Sequence, residues 1–328
     1  MNRASLRIAI VRLSALGDIV NTAVVLQIIH YNYPNALIDW FIEEAFAPIL
    51  EGHPLIHNVV AIPLKKIKKQ RSFSLLRTTI HSLRSSQPYD HIIDAQGLLK
   101  SAIVASLLPG PVHGFDRNSA REGIASWLYQ TTSTLPYEMN IIKRNVLVIT
   151  QALNIPYSDA LIEEKKTVFS VDLLPQKEQK IALVIGASWP SKCYPKEQFA
   201  VLCDLLPFPC HLIWGSQSEY QDALWIAQHS SNALITDKMS LPQLLNFIAH
   251  CNLTIGNDTG PTHMAWAMNR PSITLFGPTT ERMIYPTSIN IGIKSPSVVD
   301  IYHINRNDFS IKEIEPQNIA NHAVELLC

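Results

Sequence analysis

Short apolar runs that end in polar, glycine-containing loops alternate with helical patterns along the chain. This alternation restricts the fold more than any other feature of the sequence. Runs of this length are typical of buried strands, and strands that alternate with helices indicate a parallel α/β sheet. We predict strands over residues 6–13, 37–42, 58–62, 91–95, 181–185, 211–214, 253–256 and 272–276, and helices over residues 19–30, 101–108 and 264–268.

The length of 328 residues suggests two domains, each with its own buried core. The polar stretch 173–180, which contains one proline, is a suitable linker between them. We therefore expect a first domain over residues 1–172 and a second over residues 173–310. A terminal helix over 311–328 is expected to pack back on the first domain.

The charge balance and the cysteines exclude several classes of protein. Lys and Arg together number 27, as do Asp and Glu, so the basic excess of a nucleic-acid binder is missing. The five cysteines are scattered and odd in number, which indicates reduced thiols in a cytosolic protein rather than disulfides or a zinc site. No apolar run reaches the roughly 18 residues of a membrane span, and the first residues do not resemble a signal peptide. We expect a soluble or at most peripheral protein.

Four predicted strands of the second half end in loops rich in Gly, Ser, Thr and Asp. In open α/β sheets, ligands bind beyond the carboxyl ends of the strands, which makes this half the candidate nucleotide domain. The most informative loop runs from Gly256 to His263. Thr259 or Asp258 can cap the helix that follows, and the helix start suits a pyrophosphate. Asp258 would accept hydrogen bonds from sugar hydroxyls, although an ordinary capped β–α turn explains this segment equally well.

Other single residues allow a catalytic and a structural interpretation. Asp18, at the end of the first predicted βα loop, could be a general base or a helix cap. Lys192 could neutralise a leaving diphosphate and Ser188 could donate to a phosphate oxygen, or both could be solvated loop residues. His263 could contact a phosphate or be structural.

A basic run precedes residue 72, with Lys65, Lys66, Lys68, Lys69 and Arg71 and no acidic residue among them. Such runs are usually solvated surface, but this one could bind an anionic acceptor or membrane headgroups. Arg117 and Arg121 add two guanidinium groups, which bind carboxylates and phosphates in a bidentate manner.

Several nucleotide and metal motifs are absent from the sequence. It contains no phosphate-binding loop of the Gly-x-x-x-x-Gly-Lys-Ser/Thr type and no Gly-x-Gly-x-x-Gly after the first strand. No Asp-x-Asp pair or His/Asp/Glu cluster has metal-ligand spacing. A metal-independent transferase fits this pattern best.

Five motifs in this order resemble those of the lipopolysaccharide heptosyltransferases. They are Ser14-Ala-Leu-Gly-Asp18, Asp94-Ala-Gln-Gly-Leu-Leu-Lys100-Ser, Phe115-Asp-Arg-Asn-Ser-Ala-Arg-Glu122, Lys238-Met-Ser-Leu241 and Asn257-Asp-Thr-Gly-Pro-Thr-His263. Within that family they are most similar to the type I enzymes. The matches run from residue 8 to about residue 280.

The resemblance implies the GT-B fold, in which two Rossmann-like α/β domains face a central cleft. It implies inverting, metal-independent transfer of L-glycero-D-manno-heptose from ADP-heptose to a 3-deoxy-D-manno-octulosonic acid (Kdo) residue of Kdo-lipid A. No cofactor and no nucleic-acid partner are implied. The protein would act in the cytoplasm, where peripheral contact with the inner membrane is allowed.

Site roles follow from the resemblance position by position. Asp18 matches the proposed base, Lys192 the lysine at the diphosphate, and Asp258 the aspartate that holds heptose hydroxyls. Thr259, Gly260 and His263 match the helix start that binds the phosphates. Met239 matches a residue that lines the adenine pocket, and Glu219 matches the acidic residue that holds the ribose. The basic run at Lys65, Lys66, Lys68 and Lys69 matches an acceptor-side loop, and Arg121 matches an acceptor-side arginine near Arg117. The loop at Ser188 departs from the paired threonines usual in the family.

Three alternatives stay open at this point. The protein could be a type II heptosyltransferase or another ADP-heptose-dependent member, whose acceptor is not Kdo. It could be a nucleotide-sugar epimerase or hydrolase on the same fold, although the extra paired carboxylates and histidines of such enzymes are not evident. It could also be a non-catalytic nucleotide-sugar binding protein, for which a base at Asp18 would have no use.

Overall fold

The computed structural model describes residues 5–171 and 178–328. The chain forms two compact units, Met1–Ser170 and Val171–Cys328. This division lies close to the predicted boundary between residues 172 and 173. Most of the predicted linker, residues 172–177, lies outside the described residues.

The first unit is built on a six-stranded sheet in which every neighbouring pair is parallel. Its order is β3-β2-β1-β4-β5-β6, with strands β1 Arg7–Val11, β2 Leu37–Glu43, β3 Asn58–Ile62, β4 His91–Asp94, β5 Val112–Phe115 and β6 Thr131–Ser133. The helices are α1 Leu16–Thr22, α2 Val25–Asn32, α3 Leu64–Gln70, α4 Phe73–Arg84, α5 Leu99–Leu107, α6 Ile141–Ala152 and α7 Ala160–Glu163, with 3₁₀ turns at Glu44–Ile49 and Gly123–Leu128.

The second unit has the same topology, again with six parallel strands. Its order is β12-β11-β10-β7-β8-β9, with strands β7 Ile181–Val184, β8 Cys210–Ile213, β9 Ala233–Ile235, β10 Leu253–Asn257, β11 Ser272–Phe276 and β12 Asn290–Lys294. The helices are α8 Lys196–Leu205, α9 Gln217–His229, α10 Leu241–Ala249, α11 Gly260–Ala267 and α12 Pro316–Leu327, with 3₁₀ turns at Pro190–Lys192, Glu281–Met283 and Ser310–Glu313.

The central strands β1, β4, β7 and β10 are buried along nearly their whole length, as expected for parallel sheets that helices cover on both faces. Four consecutive residues of β1, from Ile8 to Val11, are completely buried. In the second unit, Ile181, Leu183 and Ile255 share one core with side chains of α8 and α12. The predicted α/β class and the two Rossmann-like sheets are confirmed.

One predicted helix is divided in the structure. The predicted helix 19–30 is two helices, α1 and α2, separated by a turn at Ala23 and Val24. The helix α1 begins earlier than predicted, at Leu16, because the Asp18 carboxylate accepts a hydrogen bond from the backbone N–H of Ala15 and so caps the first turn.

The terminal helix contributes to the core of the second unit. It begins at Pro316, and its buried residues Ile319, Ala320 and Ala323 belong to that core, where α12 packs against α8 and β10. The expectation that residues 311–328 pack back on the first domain stays a prediction. In the described residues, no helix is long and apolar enough to cross a membrane.

Candidate active site

The side chain of Asn257 fixes the loop after β7 to the end of β10. Its carboxamide oxygen accepts a hydrogen bond from the backbone N–H of Tyr194 at 2.9 Å. Its nitrogen donates to the carbonyl oxygens of Ile185 at 3.0 Å and Gly186 at 3.2 Å. Since β7 and β10 are adjacent parallel strands, their carboxyl ends lie side by side. Asn257 therefore holds together the two loops that carry Lys192 and Asp258.

Lys192, Asp258 and His263 form one buried polar cluster at these strand ends. The Lys192 ammonium donates to Asp258 Oδ2 at 2.7 Å, and His263 Nε2 lies 3.1 Å from Asp258 Oδ1. Burial by itself would raise the pKa of Asp258, but the charge of Lys192 and the hydrogen bond from His263 hold it well below its usual range. Sequence reasoning proposed separate ligands for the lysine and the aspartate, whereas the structure pairs them with each other.

The first turn of α11 carries the residues that were expected to bind a phosphate. Thr259 caps the helix in an extended backbone conformation, Gly260 is the first helical residue and His263 is the fourth. The Thr262 hydroxyl donates to the carbonyl oxygen of Asn257 at 2.8 Å and so ties this turn to β10. The backbone N–H groups of the helix start and its positive dipole end suit an anion.

Four buried polar atoms at the carboxyl ends of β7, β10 and β11 have no hydrogen-bond partner within the described residues. They are Trp189 Nε1, Ser191 Oγ, Thr259 Oγ1 and Thr279 Oγ1. A buried donor without a partner costs about 1–3 kcal/mol, so such groups at a strand-end site point to an oxygen-rich ligand. Of these four, only Thr259 was singled out from the sequence. The predicted phosphate donor Ser188 is exposed, whereas Ser191 is completely buried on the same loop.

Glu219 lies at the beginning of α9, where its carboxylate accepts hydrogen bonds from two backbone N–H groups. Its Oε2 atom is 2.6 Å from the nitrogen of Gly215 and 3.1 Å from that of Ser216. A methyl group at Gly186 would lie 2.3 Å from this carboxylate, so the end of β7 closely approaches it. Met239, predicted to line the adenine pocket, is half-buried and directly precedes Ser240, the N-cap of α10.

Asp18 is held by two contacts in the first unit. Its Oδ1 atom is 2.9 Å from Arg12 Nη2, and its Oδ2 accepts from the backbone N–H of Ala15 at 3.1 Å. It occupies the third position of α1 and contributes to capping, so the structural role considered from the sequence is present. The same carboxylate also lines a pocket of about 730 Å³, together with Arg12, Ser14, Ala15, Gln96, Leu98, Leu99, Lys100, Ile103, Arg121 and Glu122. The structure therefore places Asp18 at an open site of the first unit.

Sequence reasoning did not assign Arg12 and Lys100 to this pocket. The buried Arg12 guanidinium also donates to the carbonyl oxygen of Ala95. Lys100 donates to the Ser14 hydroxyl at 2.8 Å. Burial lowers the pKa of Lys100, and the nearby Lys65 lowers it further while Glu43 opposes the shift. The motif 94–100 could have indicated Lys100 as a pocket residue, because it places this lysine in the first helical turn after a predicted strand.

The completely buried Asp94 fixes the loop that carries Gln96 and leads into α5, the helix of Lys100. It accepts hydrogen bonds from the Gln96 backbone N–H at 2.8 Å, the Ser101 hydroxyl at 2.8 Å and the Tyr129 hydroxyl at 2.7 Å. Burial raises the pKa of Asp94, and these hydrogen bonds partly oppose the shift. Asp94 therefore shapes the pocket without lining it.

The predicted acceptor-side cations are all exposed. Lys65, Lys66, Lys68 and Lys69 lie on α3, where Lys66 pairs with Glu44 at 2.7 Å. Arg121 lines the Asp18 pocket, whereas Arg117 packs beside Gly123 and is not one of the lining residues. Within residues 5–171 and 178–328, no group of three or more His, Cys, Asp or Glu side chains could hold a metal ion.

Comparison with known proteins finds one family model and full-length relatives. The model of "Glycosyltransferase family 9 (heptosyltransferase)" matches residues 76–298. The chain is 38% identical to lipopolysaccharide heptosyltransferase 1 of Campylobacter coli, over 98% of this chain and 99% of the relative. It is 28% identical to lipopolysaccharide heptosyltransferase 1 of Escherichia coli strain K12, over 85% of this chain and 90% of the relative.

A similar fold occurs in the solved structure of E. coli heptosyltransferase WaaC with ADP-2-deoxy-2-fluoro heptose. The two structures superpose with a TM-score of 0.80, and the match covers 98% of this chain and 99% of the other. At 24% sequence identity, this likeness concerns the fold alone.

Proposed function

Because the chain belongs to glycosyltransferase family 9, the heptosyltransferases, we propose that it transfers L-glycero-D-manno-heptose from ADP-heptose to the Kdo residue of Kdo-lipid A. The 38% identity to a heptosyltransferase 1 over nearly the whole chain is the observation that carries this choice of donor and acceptor. The family membership excludes the epimerase and the non-catalytic interpretations. The type II alternative, with a heptose as acceptor, is decided by the experiment below.

The second unit would bind the donor. The diphosphate would lie at Lys192 and at the first turn of α11, where the unpaired hydroxyls of Ser191 and Thr259 could donate to its oxygens. Asp258 would accept hydrogen bonds from the heptose hydroxyls, Glu219 would hold the ribose and Met239 would contact the adenine. Lys192 and Asp258 form an ion pair with each other in this structure. Donor binding would therefore have to exchange this contact for one between Lys192 and the diphosphate and one between Asp258 and the sugar.

The first unit would bind the acceptor and supply the base. In the reaction, the oxygen of a Kdo hydroxyl forms a bond to the anomeric carbon on the face opposite the diphosphate, which inverts that carbon. The bond from this carbon to the diphosphate oxygen breaks, and ADP leaves with the electron pair. Asp18 takes the hydroxyl proton, while Lys192 and the α11 N-terminus stabilise the charge on ADP. No metal ion is proposed in this step.

The Asp18 pocket has the chemistry that a sugar acid requires. Arg12, Lys100 and Arg121 line it beside Asp18 and Glu122, and Lys65 of α3 lies near enough to Lys100 to lower its pKa. Ammonium and guanidinium groups bind the carboxylate of Kdo and the phosphates of lipid A. With such an acceptor, we place the protein in the cytoplasm, in peripheral contact with the inner membrane.

The test is ADP release from ADP-heptose with three acceptors: Kdo-lipid A, a heptose-terminated inner core, and no acceptor. We expect release with Kdo-lipid A only, unchanged by EDTA, and a product whose new linkage is inverted by NMR. Faster release with the heptose-terminated core would favour the type II alternative. A loss of activity with EDTA that Mg²⁺ restores would contradict the metal-independent mechanism.

A further inference from the structure

The first unit exposes four large apolar side chains on two elements that pack against each other. Leu99 and Ile103 lie on α5, and Ile124 and Trp127 lie on the 3₁₀ turn Gly123–Leu128. Trp127 is 73% exposed and Ile124 is 51% exposed. Single exposed apolar residues are ordinary, but several on two contacting elements usually mark an interaction surface. We call these four residues the α5 patch.

The α5 patch is continuous with the Asp18 pocket. Leu99 and Ile103 line that pocket, so its wall changes from charged groups to apolar groups along α5. Glu122 ties the two elements together, because its carboxylate accepts a hydrogen bond from the backbone N–H of Leu99 at 2.7 Å. The exposed apolar residues therefore lie at the border of the site where the acceptor is proposed to bind.

Several basic residues border the α5 patch, with Glu122 among them. Lys100 follows Leu99 on α5, Arg121 lines the same pocket, and Arg117 packs beside Gly123 at the start of the 3₁₀ turn. Lys65 of α3 is near enough to Lys100 to lower its pKa, which puts this one lysine of the helix on the same side of the unit. Apolar side chains among basic residues match a surface with anionic headgroups above an apolar layer. Tryptophan is also enriched at membrane–water interfaces.

We propose that the α5 patch docks the protein on an anionic lipid bilayer, with Ile124 and Trp127 inserted at the boundary between headgroups and acyl chains. This inference rests on the proposed function, because an acceptor anchored by acyl chains can reach the pocket only if the membrane-facing surface borders it. The patch would hold the enzyme at the surface while the sugar of the acceptor enters the pocket beside Asp18.

The test compares the whole protein with a double variant, Ile124→Gln with Trp127→Gln, in co-sedimentation with vesicles. Neither residue lines the pocket or holds the base. The matched control is Tyr31→Gln, since Tyr31 is an 85% exposed aromatic residue on α2 of the same unit. Vesicles contain either phosphatidylethanolamine with phosphatidylglycerol or phosphatidylcholine alone. We expect the wild type and the control to prefer the anionic vesicles, with binding that weakens in high salt, and the double variant to bind about tenfold more weakly or worse.

Activity separates this inference from the proposed function. The double variant should keep the wild-type kcat/KM on a water-soluble Kdo acceptor without acyl chains and lose activity on Kdo-lipid A in vesicles. Equal vesicle binding by the double variant and the wild type would overturn the inference while leaving transfer intact. A wild-type dimer that the double variant converts to a monomer, with vesicle binding unchanged, would identify the patch as a subunit interface and also overturn it. Patch-dependent vesicle binding without transfer to either acceptor would support the docking surface and refute the proposed function.

Discussion

The ammonium of Lys192 lies 2.7 Å from Oδ2 of Asp258, and both side chains are almost completely buried. A buried ion pair of this kind is costly to break from one side, because the remaining charge has no solvent around it. The same two groups are proposed to bind the donor. Structural and functional roles therefore overlap in one pair and must be separated by experiment.

We predict that Lys192→Met destabilises the protein by about 3–5 kcal/mol and weakens ADP binding. Combining it with Asp258→Asn should recover much of the stability, because the uncompensated carboxylate is removed, but should not restore ADP binding. Urea unfolding and calorimetric titration with ADP measure the two effects. Wild-type ADP affinity in the double variant would show that Lys192 is not a diphosphate ligand.

Asp18→Asn should lower kcat by about 10²–10⁴-fold while ADP binding stays unchanged. The amide keeps an oxygen for one of the contacts with Arg12 and Ala15 but cannot accept the proton. Asp90→Asn is the matched control, since Asp90 is an exposed carboxylate that accepts from the Arg7 backbone just before β4 begins, at the opposite end of the sheet. Turnover by the Asp18 variant within a few fold of the wild type would refute the role as base.

Gly186→Ala should raise the KM for the donor without removing any polar group. The new methyl would lie 2.3 Å from the Glu219 carboxylate and displace it from the start of α9. Loss of this capping contact should cost about 1 kcal/mol of stability. Gly215→Ala serves as control, because its methyl would meet only Glu219 Oε2 at 3.5 Å, an ordinary contact. Equal donor KM values for the two variants would argue against a ribose contact by Glu219.

Stability should fall as the pH drops below about 6.5, in part because of His53. Burial lowers its pKa, and the ring is held by Val168 O at 2.8 Å and by the backbone N–H of Leu55 at 3.2 Å. Above the pKa of the unfolded state, near 6.5, His53 is neutral in both states and does not affect the free energy of unfolding. Below that pH the unfolded state binds a proton that the folded state does not bind, so the free energy of unfolding falls. Thermal unfolding at pH 7.5 and 5.5 should show a smaller pH effect for His53→Gln. An unchanged pH effect would place the sensitivity elsewhere.

The sequence was most informative where a strand is mainly apolar. The bounds of β3 and β11 agree with the predicted ones, because each is an apolar run bordered by polar loops. Strand β6 has the sequence Thr-Thr-Ser and strand β12 the sequence Asn-Ile-Gly-Ile-Lys, so both lack a continuous apolar run. Hydrogen bonds to the neighbouring strands define them. The break between α1 and α2 was missed because the apolar spacing continues through it.

Individual residues of the candidate site could be predicted from the sequence, but the contacts between them could not. The loops that carry Lys192, Asp258 and Glu219 were all found from their position after strands. That Lys192 and Asp258 neutralise each other depends on adjacency of β7 and β10, which are far apart in sequence. Arg12 was not singled out from the sequence, since its contact with Asp18 depends on how the chain turns after β1.

Asn257 gives the proposed donor site a property that its charged residues cannot give it. One carboxamide bridges two loops through bonds that lie wholly inside the protein. The spacing of those loops is therefore set during folding and does not wait for a substrate. Binding of a nucleotide sugar there would cost little conformational entropy of these loops, because they are already ordered. More of the contact energy would therefore be retained as affinity.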